Sequence, residues 1–123
     1  MAIKNGKKGE QNMTINEYQE QAMRTSNQKL STMEHIINGA LGLAGESGEV
    51  ADLVKKWTMQ GHIIDANHLK KELGDVCWYI AETATAIGCT LEEIMQANID
   101  KLRERYPDGF SAERSINRSG DDV

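Results

Sequence analysis

The sequence predicts an all-α protein, a bundle of four helices. The chain of 123 residues contains one proline, so long helices can run without interruption. Aromatic residues make up only 5% of it, so alanine, leucine, isoleucine and methionine must supply most of the packing. Apolar residues recur with helical period in four segments. This length predicts one domain with a modest core, which association with a second copy can complete.

The polar, glycine-containing start of the chain predicts a flexible leader at 1–12. The helical domain is predicted at 13–110. The remaining residues, 111–123, are expected to form a C-terminal tail that is either loose or folded over the site.

The first helix is predicted to begin after Thr14 and to end near Leu30. Thr14 and Glu17 have the spacing of a capping box, in which each side chain binds the backbone N–H of the other residue. A longer apolar surface predicts the second helix from about Glu34 to Met59.

Glycines interrupt this second helix. Gly42, Gly45 and Gly48 each cost about 1 kcal/mol relative to alanine inside a helix. Two explanations are open: close packing against a neighbouring helix, or room for a ligand beside the adjacent acidic residues. Gly61 is expected to end the helix as its C-terminal cap.

The third helix is predicted from an Asp65 or Asn67 cap to Ile87, along a regular apolar stripe. Thr90 and Glu93 again have capping-box spacing and predict the start of a fourth helix. A Pro-Asp-Gly sequence is expected to end that helix.

Charge and cysteine usage exclude several classes of protein. A net charge of -5 argues against a protein that coats a nucleic-acid polymer or an anionic membrane. Cys77 and Cys89 form no CxxC motif and are expected to be reduced, packed thiols. No segment resembles a signal peptide or a membrane span, so we expect a cytoplasmic protein.

Two pairs of acidic residues stand out in this chain. Glu46 and Glu49 lie three residues apart on the second helix, and Glu72 and Asp75 repeat the spacing on the third. At this spacing the Cβ atoms of a pair lie about 5–6 Å apart on one helix face. A solvated face is the usual fate of such residues, but recurrence beside core positions on successive helices favours a functional site. Hard oxygen ligands in this number suit Mg²⁺, with Mn²⁺ as a substitute.

Other side chains are candidates for binding a substrate. Tyr79 follows Asp75 by one helical turn, so either ligand contact or interface packing accounts for it equally well. Asn98, Lys101 and Arg105 share one side of the fourth helix and can hold anionic oxygens. For Trp57, core packing is favoured over stacking on a base.

Several catalytic motifs are missing from the sequence. His35, His62 and His68 do not stand three residues after a glutamate, which excludes the Glu-x-x-His pattern of di-iron bundles. The sequence also has no Walker-type loop, no zinc-finger spacing and no local signature of a serine hydrolase.

Together these segments resemble a known family. The two acidic pairs in this order, followed by NIDKLRERYPDGF, are similar to the MazG-like branch of the all-α nucleoside triphosphate pyrophosphohydrolases. The resemblance covers roughly residues 14–118, including YQEQAMRT and FSAERSINR. It implies a MazG-like bundle that forms a homodimer or a dimer of dimers, and Mg²⁺-dependent hydrolysis of (deoxy)nucleoside triphosphates to monophosphate and pyrophosphate.

The resemblance also implies roles for individual residues. The metal ligands would be Glu46, Glu49, Glu72 and Asp75. Substrate contacts would come from Asn98, Lys101, Arg105 and Tyr106, with Tyr18, Gln19 and Arg24 as candidates on the first helix. Relatives acting on different nucleotides belong to the same family, so the resemblance does not fix the base.

The mechanism expected from this assignment is attack by a metal-polarised water on the α-phosphorus, with Glu49 as the base. Two alternatives come from other classes of protein: a sensor that binds nucleotides without hydrolysing them, and a helical interaction module whose acids only maintain solubility.

Overall fold

A computed structural model describes residues 12–118 of the chain. This part is helical and contains no strand, which confirms the predicted all-α class. Its five helices are α1 (Ile15–Met23), α2 (Thr32–Met59), α3 (Ala66–Ala86), α4 (Leu91–Arg105) and a short α5 (Ala112–Ile116). The predicted leader lies outside the described residues except for its last position.

Local capping chemistry fixes where the helices begin. Three complete capping boxes open α1, α2 and α4, formed by Thr14 with Glu17, Ser31 with Glu34, and Thr90 with Glu93. The first and third confirm the predicted starts. The second places the start of α2 at Thr32 rather than Glu34, because the Glu34 side chain binds back to the Ser31 backbone N–H. At α3 the cap is Asp65, whose carboxylate accepts from two backbone N–H groups.

The predicted end of α1 near Leu30 is wrong, because the helix stops at Met23 and turns follow. The Thr25 hydroxyl donates to the Ala22 carbonyl at 2.7 Å. The Trp78 indole N–H on α3 donates to the same carbonyl at 3.1 Å and to the Thr25 hydroxyl at 2.9 Å. These bonds satisfy the end of the helix without another helical turn.

Helices α2 and α3 run antiparallel and approach closely at two glycines. A Cβ added at Gly39 would overlap the Thr83 side chain, and one added at Gly42 would overlap the Tyr79 ring. Gly45 and Gly48, one and two turns further along, have nothing within 4 Å of such a Cβ. Close helix packing therefore accounts for Gly42, whereas Gly45 and Gly48 border open space.

The side chain of Gln19 joins three helices. Its Oε1 atom accepts from the Leu91 backbone N–H at 2.6 Å. Its Nε2 atom donates to the Thr85 hydroxyl at 2.9 Å and to the Cys89 carbonyl at 3.1 Å. Gln19 is buried, so this amide fixes the start of α4 against α1 and α3.

The core of the described chain is small. The buried apolar residues are Ala81, Ala84 and Leu91. Trp57 is 48% exposed and Cys77 is exposed, so the predictions of a core tryptophan and of a packed Cys77 thiol are wrong. The large apolar residues with half or more of their surface exposed are Met13, Met33, Ile37, Leu41, Met59, Ile63, Ile87, Phe110 and Ile116.

We predict that Gly42→Ala lowers the free energy of unfolding by about 1–3 kcal/mol, because the new methyl group would overlap the Tyr79 ring. Gly48→Ala, the matched control, meets nothing within 4 Å and should gain up to about 1 kcal/mol from helix propensity. Urea unfolding followed by circular dichroism measures both variants. A Gly42→Ala protein as stable as the Gly48→Ala protein would contradict the close approach of the helices.

Candidate metal centre

Three carboxylates from two helices converge at the middle of the α2–α3 pair. The antiparallel register that places Gly39 on Thr83 and Gly42 on Tyr79 brings the next turn of α2 to Asp75. One carboxylate oxygen from each of Glu46, Glu72 and Asp75 lies within 4.8 Å of the other two. Three of the four residues expected as metal ligands thus lie close together.

Glu49 is the fourth predicted acid, and this group does not include it. It is exposed, one helical turn from Glu46. Its negative charge still reaches the group, where it contributes to raising the pKa of Glu46. Glu49 therefore borders the cluster without joining it.

The nearby lysines of α2 are engaged elsewhere. Asp52 binds Lys56 at 2.7 Å and Lys55 at 3.3 Å. The hydrogen bond from Lys56 is the largest cause that lowers the pKa of Asp52. Asp52, one helical turn beyond Glu49, is thus the ion-pair partner of both lysines.

The acidic group is electrostatically strained. Partial burial raises the pKa of Glu46, followed by a hydrogen bond with Glu72 and by the negative charges of Asp75, Glu72 and Glu49. Each cause disfavours the charged form of the Glu46 carboxyl. Protonation of Glu46, or a bound cation, relieves this repulsion.

The donor set fits a divalent cation that prefers oxygen ligands, and Mg²⁺ serves to test the distances. Ligands at about 2.1 Å in an octahedron are separated by about 3 Å when adjacent and by about 4.2 Å when opposite. Oxygens within 4.8 Å of one another can reach these separations with small side-chain movements. An all-carboxylate set also matches the preference of Mg²⁺ and Mn²⁺ for hard oxygen ligands.

The structure places Tyr79 mainly in a packing role. Its ring lies over Gly42 and meets the Trp78 ring edge-on, with 5.1 Å between centroids. Of the two explanations left open for Tyr79, interface packing is thus the one with contacts in the structure.

Apart from the candidates on α1, the other predicted substrate residues lie on or just after α4. Asn98 and Lys101 are exposed, while Arg105 and Tyr106 are half-buried at the end of the helix. The Arg105 guanidinium lies 5.8 Å from the centre of the Tyr106 ring. The acidic group itself draws its members from α2 and α3 alone.

Residues 111–118 of the predicted C-terminal tail fold back onto the end of α4, and 119–123 lie outside the described residues. The Tyr106 and Phe110 rings are 5.6 Å apart. A hydrogen bond from Ser115, followed by one from Arg105 and the charges of Arg105 and Arg118, holds the pKa of the Tyr106 phenol below its usual range. The tail thereby gathers cationic and hydroxyl groups around Tyr106.

A second polar cluster, absent from the sequence predictions, lies nearer the end of α3. Glu82 is 2% exposed, and its carboxylate accepts from Asn38 at 2.8 Å and lies 3.1 Å from His35 Nδ1. It lines a cavity of about 250 Å³. A buried, fully partnered carboxylate of this kind ties the start of α2 to α3.

Comparison with known proteins identifies the family of this chain. A model of the MazG nucleotide pyrophosphohydrolase domain matches residues 34–110, which contain all four acidic residues. The chain belongs to the MazG family. It is also similar to the Gene 37 protein of Mycobacterium phage L5, with 40% identity over 85 residues, covering 66% of this chain and 70% of that protein. No solved structure matches the chain.

Membership of the MazG family agrees with the resemblance found in the sequence. The matched segment ends at residue 110, so α5 lies beyond it. None of the helices within residues 12–118 combines the length and apolarity needed to span a bilayer.

We predict that Glu46→Gln raises the melting temperature of the metal-free MazG chain at neutral pH, because it removes one charge from the group. In the wild type the folded pKa of Glu46 exceeds its unfolded value of about 4.3, so folding takes up a proton. The contribution of this group to the free energy of unfolding of the wild type should therefore rise as the pH falls from neutral through the raised pKa of Glu46. It should level off below the pKa of Glu46 in the unfolded chain.

Thermal unfolding between neutral pH and pH 4, with a chelator present, measures this effect. The Glu46→Gln variant should show a smaller rise on acidification than the wild type. Equal pH dependence of the two proteins would contradict the strain assigned to Glu46.

Proposed function

We propose that this chain hydrolyses (deoxy)nucleoside triphosphates to the monophosphate and pyrophosphate. The observation that carries the proposal is the convergence of Glu46, Glu72 and Asp75 within 4.8 Å inside a MazG domain. Carboxylates packed this closely are unfavourable without a cation, and a triphosphate chain supplies the remaining oxygen ligands that Mg²⁺ prefers.

Glu46, Glu72 and Asp75 would hold the metal, and Glu49 would complete the set by a change of side-chain rotamer or remain beside it. A bound Mg²⁺ lowers the pKa of water and neutralises charge on the phosphates. Mn²⁺ has the same ligand preference and would substitute.

Glu49 is our candidate for the general base. It is exposed and lies beside the group of three acids without belonging to it, so its carboxylate can accept a proton from water. The oxygen of the attacking water bonds to the α-phosphorus, and its proton passes to a Glu49 Oε atom. The bond from the α-phosphorus to the bridging oxygen breaks, and pyrophosphate leaves with that oxygen.

Cationic and polar groups on α4 would bind the phosphates and sugar. Lys101 and Arg105 carry the charge, and Asn98 offers an amide on the same side of the helix. Tyr106 presents a phenol whose pKa is lowered by the surrounding hydroxyl and cationic groups. Tyr79, on α3 one turn after Asp75, would contribute by packing in the interface between α2 and α3.

Association with a second copy is part of the proposal. Three buried apolar residues are few for a domain of this length. On α4, Met95, Ile99 and Leu102 form an apolar face with exposures of 42%, 42% and 39%. Burial of this face in a homodimer, or in a dimer of dimers, would supply the missing core.

The free Cys77 and Cys89 suit a reducing cytoplasm.

We predict that the wild type releases pyrophosphate from at least one nucleoside triphosphate only when Mg²⁺ is present, and that Glu49→Gln lowers this rate at least about 100-fold. Glu20→Gln is the matched control, since Glu20 is exposed on α1 outside the acidic group. A coupled pyrophosphate assay across ribo- and deoxyribonucleotides measures all three proteins.

Near-normal activity in Glu49→Gln would overturn its role as base while leaving the enzyme intact. Binding of nucleotide and Mg²⁺ by the wild type without pyrophosphate release would instead identify a sensor. An unchanged melting temperature with both ligands added would identify an interaction module.

We predict that the wild type sediments as a multiple of its 13.7 kDa chain mass, and that Ile99→Asp shifts it toward the monomer. A charge on the apolar α4 face must be desolvated when that face is covered. Ile116→Asp, on the 81% exposed Ile116 of α5, is the control and should leave the mass unchanged. Analytical ultracentrifugation at micromolar concentration decides; a monomeric wild type would contradict the proposed assembly.

A further inference from the structure

We propose that His68 is a positioning residue that orients the Glu72 carboxylate in the acidic group. His68 Nε2 lies 3.1 Å from Glu72 Oε1, one helical turn along α3. The inference rests on the proposed function, because it assigns His68 a part in metal binding at that site.

The contact has a defined polarity. An ionised carboxylate only accepts hydrogen bonds, so the contact with ionised Glu72 requires the His68 tautomer that carries the hydrogen on Nε2 and donates it. Glu72 is the more buried partner, with its side chain 17% exposed against 52% for His68. The imidazole therefore approaches Glu72 from the solvent side.

The Glu72 carboxylate has a neighbour on each side. The His68 imidazole binds Oε1, and a carboxylate oxygen of Glu46 on the neighbouring helix lies within 4.8 Å. The bond to His68 restricts the rotation of the Glu72 carboxylate and leaves less freedom to lose when a metal binds.

The backbone of His68 is itself fixed. Asp65 caps α3, and its Oδ1 atom accepts from the N–H groups of Asn67 at 3.0 Å and His68 at 3.3 Å. The imidazole thus projects from an anchored first turn toward a residue one turn away. Asp65, His68 and Glu72 form a continuous chain of contacts from the helix cap to the acidic group.

His68 supports the site without belonging to the ligand set. The group of mutually close donor atoms contains Glu46, Glu72 and Asp75 but not His68, although an imidazole nitrogen is a possible ligand. Outer residues of this kind change metal affinity by about 10–100-fold, because they orient a ligand and set its basicity.

The test is Mn²⁺ binding to the chain of 123 residues without nucleotide, measured by electron paramagnetic resonance. His68→Ala should weaken Mn²⁺ binding about tenfold. His68→Gln retains a side-chain N–H donor and should recover part of the loss. His62→Ala is the control, because His62 is exposed in the connection between α2 and α3, outside the acidic group, and should bind as the wild type does.

Two further readouts separate positioning from a structural role. The melting temperature of metal-free His68→Ala should match that of the wild type. In the pyrophosphate assay its Mg²⁺ midpoint should rise about tenfold, while kcat at saturating Mg²⁺ stays close to the wild-type value. A lower metal-free melting temperature without rescue by glutamine would assign His68 to folding and overturn the inference.

The outcomes also distinguish this inference from the proposed function. Equal Mn²⁺ affinity in His68→Ala and the wild type would overturn the positioning role alone. Weaker Mn²⁺ binding in His68→Ala, with no pyrophosphate release by the wild type, would support positioning and overturn the hydrolase. A wild type that binds no Mn²⁺ would overturn both.

Discussion

The close approach of α2 and α3 at Gly39 and Gly42 is the constraint on which the site depends. With a side chain at either position, the helices would have to separate or slide. The register set by these contacts brings Glu46 next to Glu72 and Asp75. A steric requirement at the glycines therefore determines which charged groups meet one helical turn further along α2. Gly45 and Gly48 leave the surface beside the acids open.

The acidic group then sets the chemistry. Partial burial and neighbouring negative charge raise the pKa of Glu46, while Asp52 engages Lys55 and Lys56. A site arranged in this way favours a cation that can accept several carboxylate oxygens at once, and in the proposed function Mg²⁺ with a triphosphate chain meets that requirement. The MazG match to residues 34–110 places the same group in a family of nucleotide pyrophosphohydrolases.

Features set by neighbouring residues in the chain were predictable from the sequence, and those set by distant contacts were less so. Capping boxes such as Thr14 with Glu17 use residues three apart, and the three-residue spacing of the acids is equally local. The end of α1 depends on Trp78, more than fifty residues away along the chain. The separation of Glu49 from its predicted partners depends on helix register. His68 stands four residues before Glu72, a spacing that could have identified it.

The most direct test of the account is hydrolysis of a nucleoside triphosphate in ¹⁸O-labelled water with Mg²⁺, followed by mass spectrometry of both products. Attack on the α-phosphorus predicts one labelled oxygen in the monophosphate and none in the pyrophosphate. Label in the pyrophosphate would place the attack on the β-phosphorus and contradict the mechanism. If every ribo- and deoxyribonucleoside triphosphate tested remained intact, the result would contradict the proposed activity.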